Sequence, residues 1–314
     1  MKRAIVTGAS GFIGFSLLQE LLHNDYEVLA VVHSKESEHK LERLRNPNLS
    51  IVICDIPDFS PLYLHKTDNY DVFFHMAWEG VSGEKNRSLP VQRRNVSGAI
   101  AAVKAAADLH CKKFVGAGSI HEVECMKEME QAVPIQNYAN YYKTAKLAAH
   151  YYCKLESQKR GLNFFWPRLT NTFGAGELSE RMLVSTIQKL LRNEIPQLTE
   201  GTQLYNFIYI TDAARAYRMI AEHGVAYHNY VIGGEEIKPL KEFLLEVQQI
   251  VNPNVPLGFG KYRFQGVCLA EEDFSTESLR RETGFQTQVN FEEGVSLTKD
   301  FLQQQILKTG WDLY

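Results

Sequence analysis

None of the 314 residues falls in an apolar run of membrane-spanning length, so an integral helical membrane protein is not expected. The start, MKRAIVTGAS, has two basic residues but only three apolar ones before polar residues and glycine, too short a run for a signal peptide. Cysteine is scarce: Cys54, Cys111, Cys125, Cys153 and Cys268 are scattered, with no CxxC spacing. An odd, unclustered set reads as free thiols in a reducing compartment, so the expected location is cytoplasmic. A marked excess of either charge is also lacking. A net −3 gives no electrostatic reason to expect nucleic acid or an anionic membrane as partner. The ten histidines show no HxxxH or HExxH spacing, so no metal site is expected. There is no internal repeat and no low-complexity tract. What is present, 45% hydrophobic and 23% charged residues, is the composition of a globular chain with a large core.

The first half alternates apolar runs with helical periodicity. AIVTG (4–8), EVLAVVH (27–33), SIVICD (50–55), DVFFHMA (71–77), KFVGAGS (113–119) and NFFWPRL (163–169) read as strands. GFIGFSLLQELLHN (11–24), VQRRNVSGAIAAVKAAADLH (91–110) and ANYYKTAKLAAHYYCKLESQKRG (139–161) read as helices. Unbroken apolar strands separated by helices imply a parallel sheet covered on both faces. Right-handed crossovers make it doubly wound, an α/β fold of Rossmann type. After residue 169 the rhythm loosens into helices over 180–194, 211–223 and 238–251, with a strand near 229–234. The expected division is a dinucleotide-binding domain over 1–168, to which a segment near 206–222 returns. A smaller mixed substrate-binding lobe, over 169–314, would lie across the sheet's carboxyl edge.

Two local patterns carry chemistry. TGASGFIG (7–14) sets Gly8, Gly11 and Gly14 between the first strand and the first helix. Gly8 permits a tight turn, Gly11 lets backbone approach a pyrophosphate, and Gly14 lets helix pack on strand. The amides of the helix start, at Phe12 and Ile13, then face the anion. In NYANYYKTAK (137–146) three phenols precede two lysines. A proton-exchanging phenol needs its titration point, about 10 when free, brought toward neutrality. An ammonium four residues later lies on the same helix face and would do this by stabilising phenolate. Only Tyr142 has such a partner, Lys146; Tyr138 has Tyr142 there and Tyr141 has Ala145. The other two phenols are expected in pocket or core.

The GxxGxxG spacing, in the form TGxxGFxG, resembles the extended short-chain dehydrogenase/reductases that act on nucleotide sugars, the NAD-dependent epimerase/dehydratase family. The resemblance runs along nearly the whole chain, most clearly over 4–212. It implies that Ser119 polarises the substrate carbonyl, Tyr142 exchanges the proton, and Lys146 tunes the phenol and holds the ribose. It places the adenine at Asp55 and Ile56 (ICDI). The nicotinamide side falls to Met76, Ala77 and Trp78 (HMAW), Asn95 (NVSG), and the backbone of Leu169 and Thr170. PRLTNTFGAG (167–176) resembles RxxNxxG through Arg168 and Asn171, and Asn171 would bond the substrate phosphate. YNFIYITDAARA (205–216) resembles RDFxxVxDxxxA through Asp212. Tyr205 and Asn206 replace its arginine and aspartate, and Arg181 is a candidate substitute for the missing cation. Glu79, Ser82 and His121 are further candidate substrate contacts.

Where an NAD-binding strand would end in a carboxylate, this one ends in His33, Ser34 and Lys35, with Glu36 beyond the strand end. Donors and a cation suit a ribose 2′-phosphate, so NADP is favoured over NAD. Family dehydratases carry Thr-Asp-Glu where SIHEVE (119–124) puts Ile120 and His121 in the acidic positions and shifts Glu122 by one, which argues against dehydration. The expected activity is reduction of a 4-keto-6-deoxy sugar nucleotide. The alternatives are a 4-epimerase with retained NAD and, more distantly, a non-catalytic dinucleotide sensor. The resemblance also implies a homodimer formed by helices of the first lobe.

Overall fold

The computed structural model describes residues 2–65, 69–131 and 141–309. The first lobe runs β1 Lys2–Thr7, α1 Phe12–His23, β2 Tyr26–Val32, α2 Lys35–Glu42, β3 Leu49–Ile53, β4 Val72–His75, α3 Gly83–Asn86, α4 Leu89–Asp108, β5 Lys113–Gly116, β6 Gly118–Ser119, α5 His121–Met129, α6 Tyr141–Lys159 and β7 Asn163–Phe165. Then come β8 Arg168–Leu169, β9 Asn171–Phe173, α7 Met182–Leu191, β10 Leu204–Tyr209, α8 Ile210–His223, β11 Val231–Ile232, β12 Ile237–Pro239, α9 Leu240–Val251, α10 Glu277–Thr283 and α11 Phe291–Thr309.

Six parallel strands form the main sheet in the order β3-β2-β1-β4-β5-β7. Alternation along β1 assigns its side chains to two cores: Ala4 and Val6 pack on one face with α1 and α8, and Ile5 on the other with α4 and α6. A sheet covered on both sides has no wet face, which is why its strands read as continuous apolar runs. The connections reverse direction between β1 and β4, and the carboxyl ends of these neighbours open a crevice. A separate core joins α7, α9 and α11 to β9 and β10 through a knot of rings, with Phe243 and Phe291 centroids 4.6 Å apart.

Two strands read as continuous are broken. KFVGAGS divides into β5 and β6, and NFFWPRL into β7 and β8; β6 and β8 leave the main sheet and pair with each other, β8 also pairing with β11. Trp166 is the cause. A Cβ on Gly116 would stand 2.1 Å from its indole, and one on Gly118 2.7 Å, so the ring occupies space that only glycine leaves. Pro167 has no N–H for a ladder, and its carbonyl instead accepts from Gly118 N at 3.0 Å. The break swings Ser119 out of the main sheet toward α6. Helices α2, α5, α10 and α11 were not legible as periodic stretches.

Candidate active site

A cleft of about 540 Å³ opens at the β1/β4 crevice, lined by Gly8, Gly11, His33, Asp55, Ile56, His75, Met76, Ala77, Trp78, Glu79 and Asn95 among others. Gly8 has φ +66, and a Cβ on it would lie 2.8 Å from Ala77 Cα; one on Gly14 would lie 2.1 Å from Gly8 O. Gly11 N-caps α1 without a side-chain cap, so no side chain competes for the first-turn amides at Phe12 and Ile13. The side chains of Phe12 and Ile13 pack into the second-lobe core. His75 is buried in the cleft wall, and burial pushes its imidazole down to about 3. Thr7 Oγ1 meets its Nδ1 at 2.9 Å, while Nε2 has no partner. A glycine cradle, uncapped amides and an orphaned imidazole nitrogen fit a dinucleotide.

At the cleft's rim Asp55 is exposed and pairs with Arg94 at 2.7 Å. Asn95 clamps the loop after β4, accepting from Glu79 N at 3.1 Å and donating to Glu79 O at 2.7 Å. Ser34 N-caps α2, accepting from Ser37 N at 3.2 Å, and Lys35 opens that helix in solvent. Lys40, missed in the sequence, reaches from α2 to Ser10 O at 3.0 Å. Leu169 does not line the cleft; it is core, and its carbonyl accepts from Ile120 N at 2.9 Å.

Ser119, Tyr142 and Lys146 meet behind Trp78. The Tyr142 phenol lies close enough to the Ser119 hydroxyl for that group to favour its ionised form, and its ring stands edge-on to Trp78 at 6.1 Å and to His121 at 6.0 Å. Lys146 Nζ donates to Ala117 O at 2.8 Å and lies 3.7 Å from the Trp78 ring centroid. The expected acidification of the phenol is not found. Burial pushes Tyr142 up to about 12, and the Ser119 hydroxyl and Arg181 only partly oppose it. Lys146 is itself pushed down to about 7 by burial, with Glu122 and Cys153 opposing. Desolvation outweighs the attraction because both groups are shut away from water. Tyr141 is a second correction: it is exposed rather than in pocket or core, and Tyr138 lies outside the described residues.

Behind Ser119 sits a residue whose role the sequence did not reveal. Glu122 is fully buried; its Oε1 accepts from Ser119 N and Trp166 Nε1, both at 2.9 Å, and its Oε2 meets His150 Nδ1 at 2.8 Å. Arg168 Nε stands 3.6 Å away, so this matched arginine faces the core. No spacing rule points to such a knot, because its members lie on four elements.

The substrate side is a narrow recess of about 30 Å³ lined by His121, Glu124, Asn171, Gln203, Tyr205 and Phe264 among others. His121 Nδ1 lies 2.9 Å from Glu124 Oε2, a charge contact without hydrogen-bond alignment. Asn171 donates to Asn206 O at 3.2 Å. Burial pushes the Tyr205 phenol up to about 12, with Glu124 adding and Arg181 opposing. Arg181 is held by Thr172 O at 2.9 Å and Glu177 at 3.2 Å, within electrostatic reach of both Tyr142 and Tyr205. Asn206 is a tie, not a ligand group. It accepts from Thr170 and Gly234 N and donates to Gly234 O and Glu236 O, a pattern aspartate cannot make. Asp212 anchors the chain before α11 by accepting from Gln288 N and Val289 N. Glu79 pairs with Lys85 at 2.7 Å at the cleft mouth, and Ser82 N-caps α3 away from both cavities. Among the described residues, no group of three His, Cys, Asp or Glu could hold a metal, and no helix is long and apolar enough to cross a membrane.

Residues 4–233 match the NAD dependent epimerase/dehydratase family. A trifunctional UDP-glucose 4,6-dehydratase/UDP-4-keto-6-deoxy-D-glucose 3,5-epimerase/UDP-4-keto-L-rhamnose-reductase of Arabidopsis thaliana is 21% identical over 96% of this chain, which spans 47% of that protein's length. The human dTDP-D-glucose 4,6-dehydratase is 25% identical over 80% of this chain and 74% of its own. Among solved structures, UDP-glucuronic acid 4-epimerase from Bacillus cereus, with UDP-glucuronic acid and NAD, superposes with TM-score 0.79 at 19% identity, covering 96% of this chain and 99% of its own. UDP-glucose 4-epimerase from Thermotoga maritima gives TM-score 0.78 at 21% identity, covering 97% and 99%. The chain therefore belongs to the NAD-dependent epimerase/dehydratase family.

Proposed function

We propose that the protein reduces the ketone of a 4-keto-6-deoxy sugar nucleotide, with NADPH as hydride donor. The observation that carries this reading is the Ser119–Tyr142 hydroxyl pair, buried between the dinucleotide cleft and the recess. A phenol at about 12 holds its proton at neutral pH, which suits an acid that protonates a developing alkoxide. When bound, the dinucleotide supplies the hydride. Ser119 orients the carbonyl oxygen, Tyr142 gives that oxygen its proton, and Lys146 sits one helical turn behind to hold the ribose.

Support for the sugar class comes from the Arabidopsis relative, whose name includes reduction of a 4-keto sugar nucleotide. Support against dehydration comes from Glu122, whose carboxylate is turned into the core. NADP is favoured because β2 ends without a carboxylate and the start of α2 offers Lys35, with Lys40 farther along the helix reaching Ser10 O. Five unpaired cysteines fit a reducing cytoplasm. Exposed Tyr151, Tyr152 and Leu155 on α6 support homodimerisation through that helix.

The test is mass spectrometry of nucleotide co-purifying with the protein, followed by NADPH oxidation against a panel of 4-keto sugar nucleotides. NADPH consumed stoichiometrically with a keto sugar supports the reading. Tightly retained NAD, with sugar interconversion and no net oxidation, would replace it with the 4-epimerase.

A further inference from the structure

We propose that Glu122 is a positioning residue of the active centre, a buried carboxylate that fixes the Ser119 backbone and acts as counter-charge to Lys146. This rests on the roles given above to Ser119 and Lys146. Glu122 lies in the first turn of α5, three residues after Ser119, so its side chain folds back onto the amide of the strand end it follows. Its chain neighbours Ile120 and Val123 are buried, and so is Phe164, whose ring packs on His150 and Trp166. An isolated carboxylate there would be strongly unfavourable, and it is retained only because donors converge on it.

Those donors come from separate parts of the fold. Trp166 reaches it from the β7–β8 connection and His150 from α6, while Arg168 Nε on β8 adds a positive charge at 3.6 Å without a hydrogen bond. The indole is seated by the two glycines that flank Ala117, and His150 stacks on it at 5.5 Å and 18°. Trp166 and Glu122 thus clamp the stretch from Ala117 to Ser119, whose first residue supplies Ala117 O to Lys146.

The charge acts as well as the shape. Besides His150 and Arg168, which touch it, the groups that feel its charge include Lys146 and Tyr142 on α6 and Tyr217 on α8, and Glu122 strengthens proton retention on these three. Cys153 also favours the charged form of Lys146, whereas His75, facing it from β4, loses proton affinity to it. Removing the Glu122 charge must therefore let Lys146 lose its proton at lower pH.

Glu122→Gln keeps an oxygen for Ser119 N and Trp166 Nε1 and removes the charge, with the amide nitrogen taking the place of Oε2 and donating to a neutral His150 Nδ1. Trace acetylation with acetic anhydride, read for the Lys146 peptide by mass spectrometry across pH, measures its titration without any substrate. The midpoint is expected to fall by about one unit in Glu122→Gln, and to stay in place in Trp166→Phe, which loses the clamp but not the charge. In NADPH oxidation, both variants are expected to lose about tenfold in kcat with KM for NADPH changed less than about twofold. A Lys146 midpoint common to wild type and Glu122→Gln would overturn the counter-charge, and unchanged kcat in both variants would overturn the positioning role. Failure of the wild type to oxidise NADPH with any keto sugar would sink the proposed function, while the acetylation result would still decide this inference.

Discussion

Tyr142 and Lys146 lie one turn apart on α6, yet burial moves them in opposite directions, the phenol up and the ammonium down. The pair was legible in the sequence because i and i+4 spacing is a local property. Its electrostatics were not, because desolvation depends on Trp78, Ala117 and Glu122, which only the fold brings near. The consequence for stability has a definite sign. With its folded value depressed to about 7, Lys146 is neutral in the folded protein and protonated in the unfolded chain between there and the free lysine value. Stability therefore rises with pH from about 7 up to the free lysine value, and burying Lys146 carries its full cost below about 7, where both states hold the proton. Chemical denaturation from pH 7 to 9 should show wild type gaining on Lys146→Met by up to about 1.4 kcal/mol per pH unit. Parallel curves would show that Lys146 is not desolvated.

At the scale of elements, the six strands of the main sheet and helices α1, α4, α6, α7, α8 and α9 were readable from apolar periodicity, with ends off by a few residues. The misses have physical reasons. Trp166 breaks two strands through contacts with Gly116 and Gly118, glycines that a pattern search reads as ordinary strand residues. α2 is largely charged, with only Leu41 buried, so it carries no apolar stripe. Its start supports a prediction about the dinucleotide: Lys35→Glu should weaken NADPH binding by about tenfold, measured by fluorescence titration, and leave NADH nearly unaffected. Equal losses for the two dinucleotides would remove Lys35 from the 2′-phosphate. Asn206 binds β10 to Thr170 and to the turn at Gly234 and Glu236 with two donated and two accepted bonds. Asn206→Asp would set a carboxylate against two carbonyls, so urea unfolding should show a loss of about 3 kcal/mol. A loss below about 1 kcal/mol would mean the tie is replaced by water.

For the whole molecule, the sheet's reversal between β1 and β4 determines where a dinucleotide can lie, and the second lobe brings Asn171 and Tyr205 to the recess. Tyr151 and Leu155 share a face of α6 and are 64% and 47% exposed, so replacing both with glutamate should turn the proposed dimer into a monomer by light scattering. A wild type that is already monomeric would contradict that assembly. The central claim, that one buried phenol delivers the proton to a sugar ketone, is tested most directly by single-turnover NADPH oxidation with dTDP-4-keto-6-deoxyglucose. Tyr142→Phe should bind NADPH as wild type does and react about a thousandfold more slowly; a phenylalanine variant reacting at the wild-type rate would contradict it.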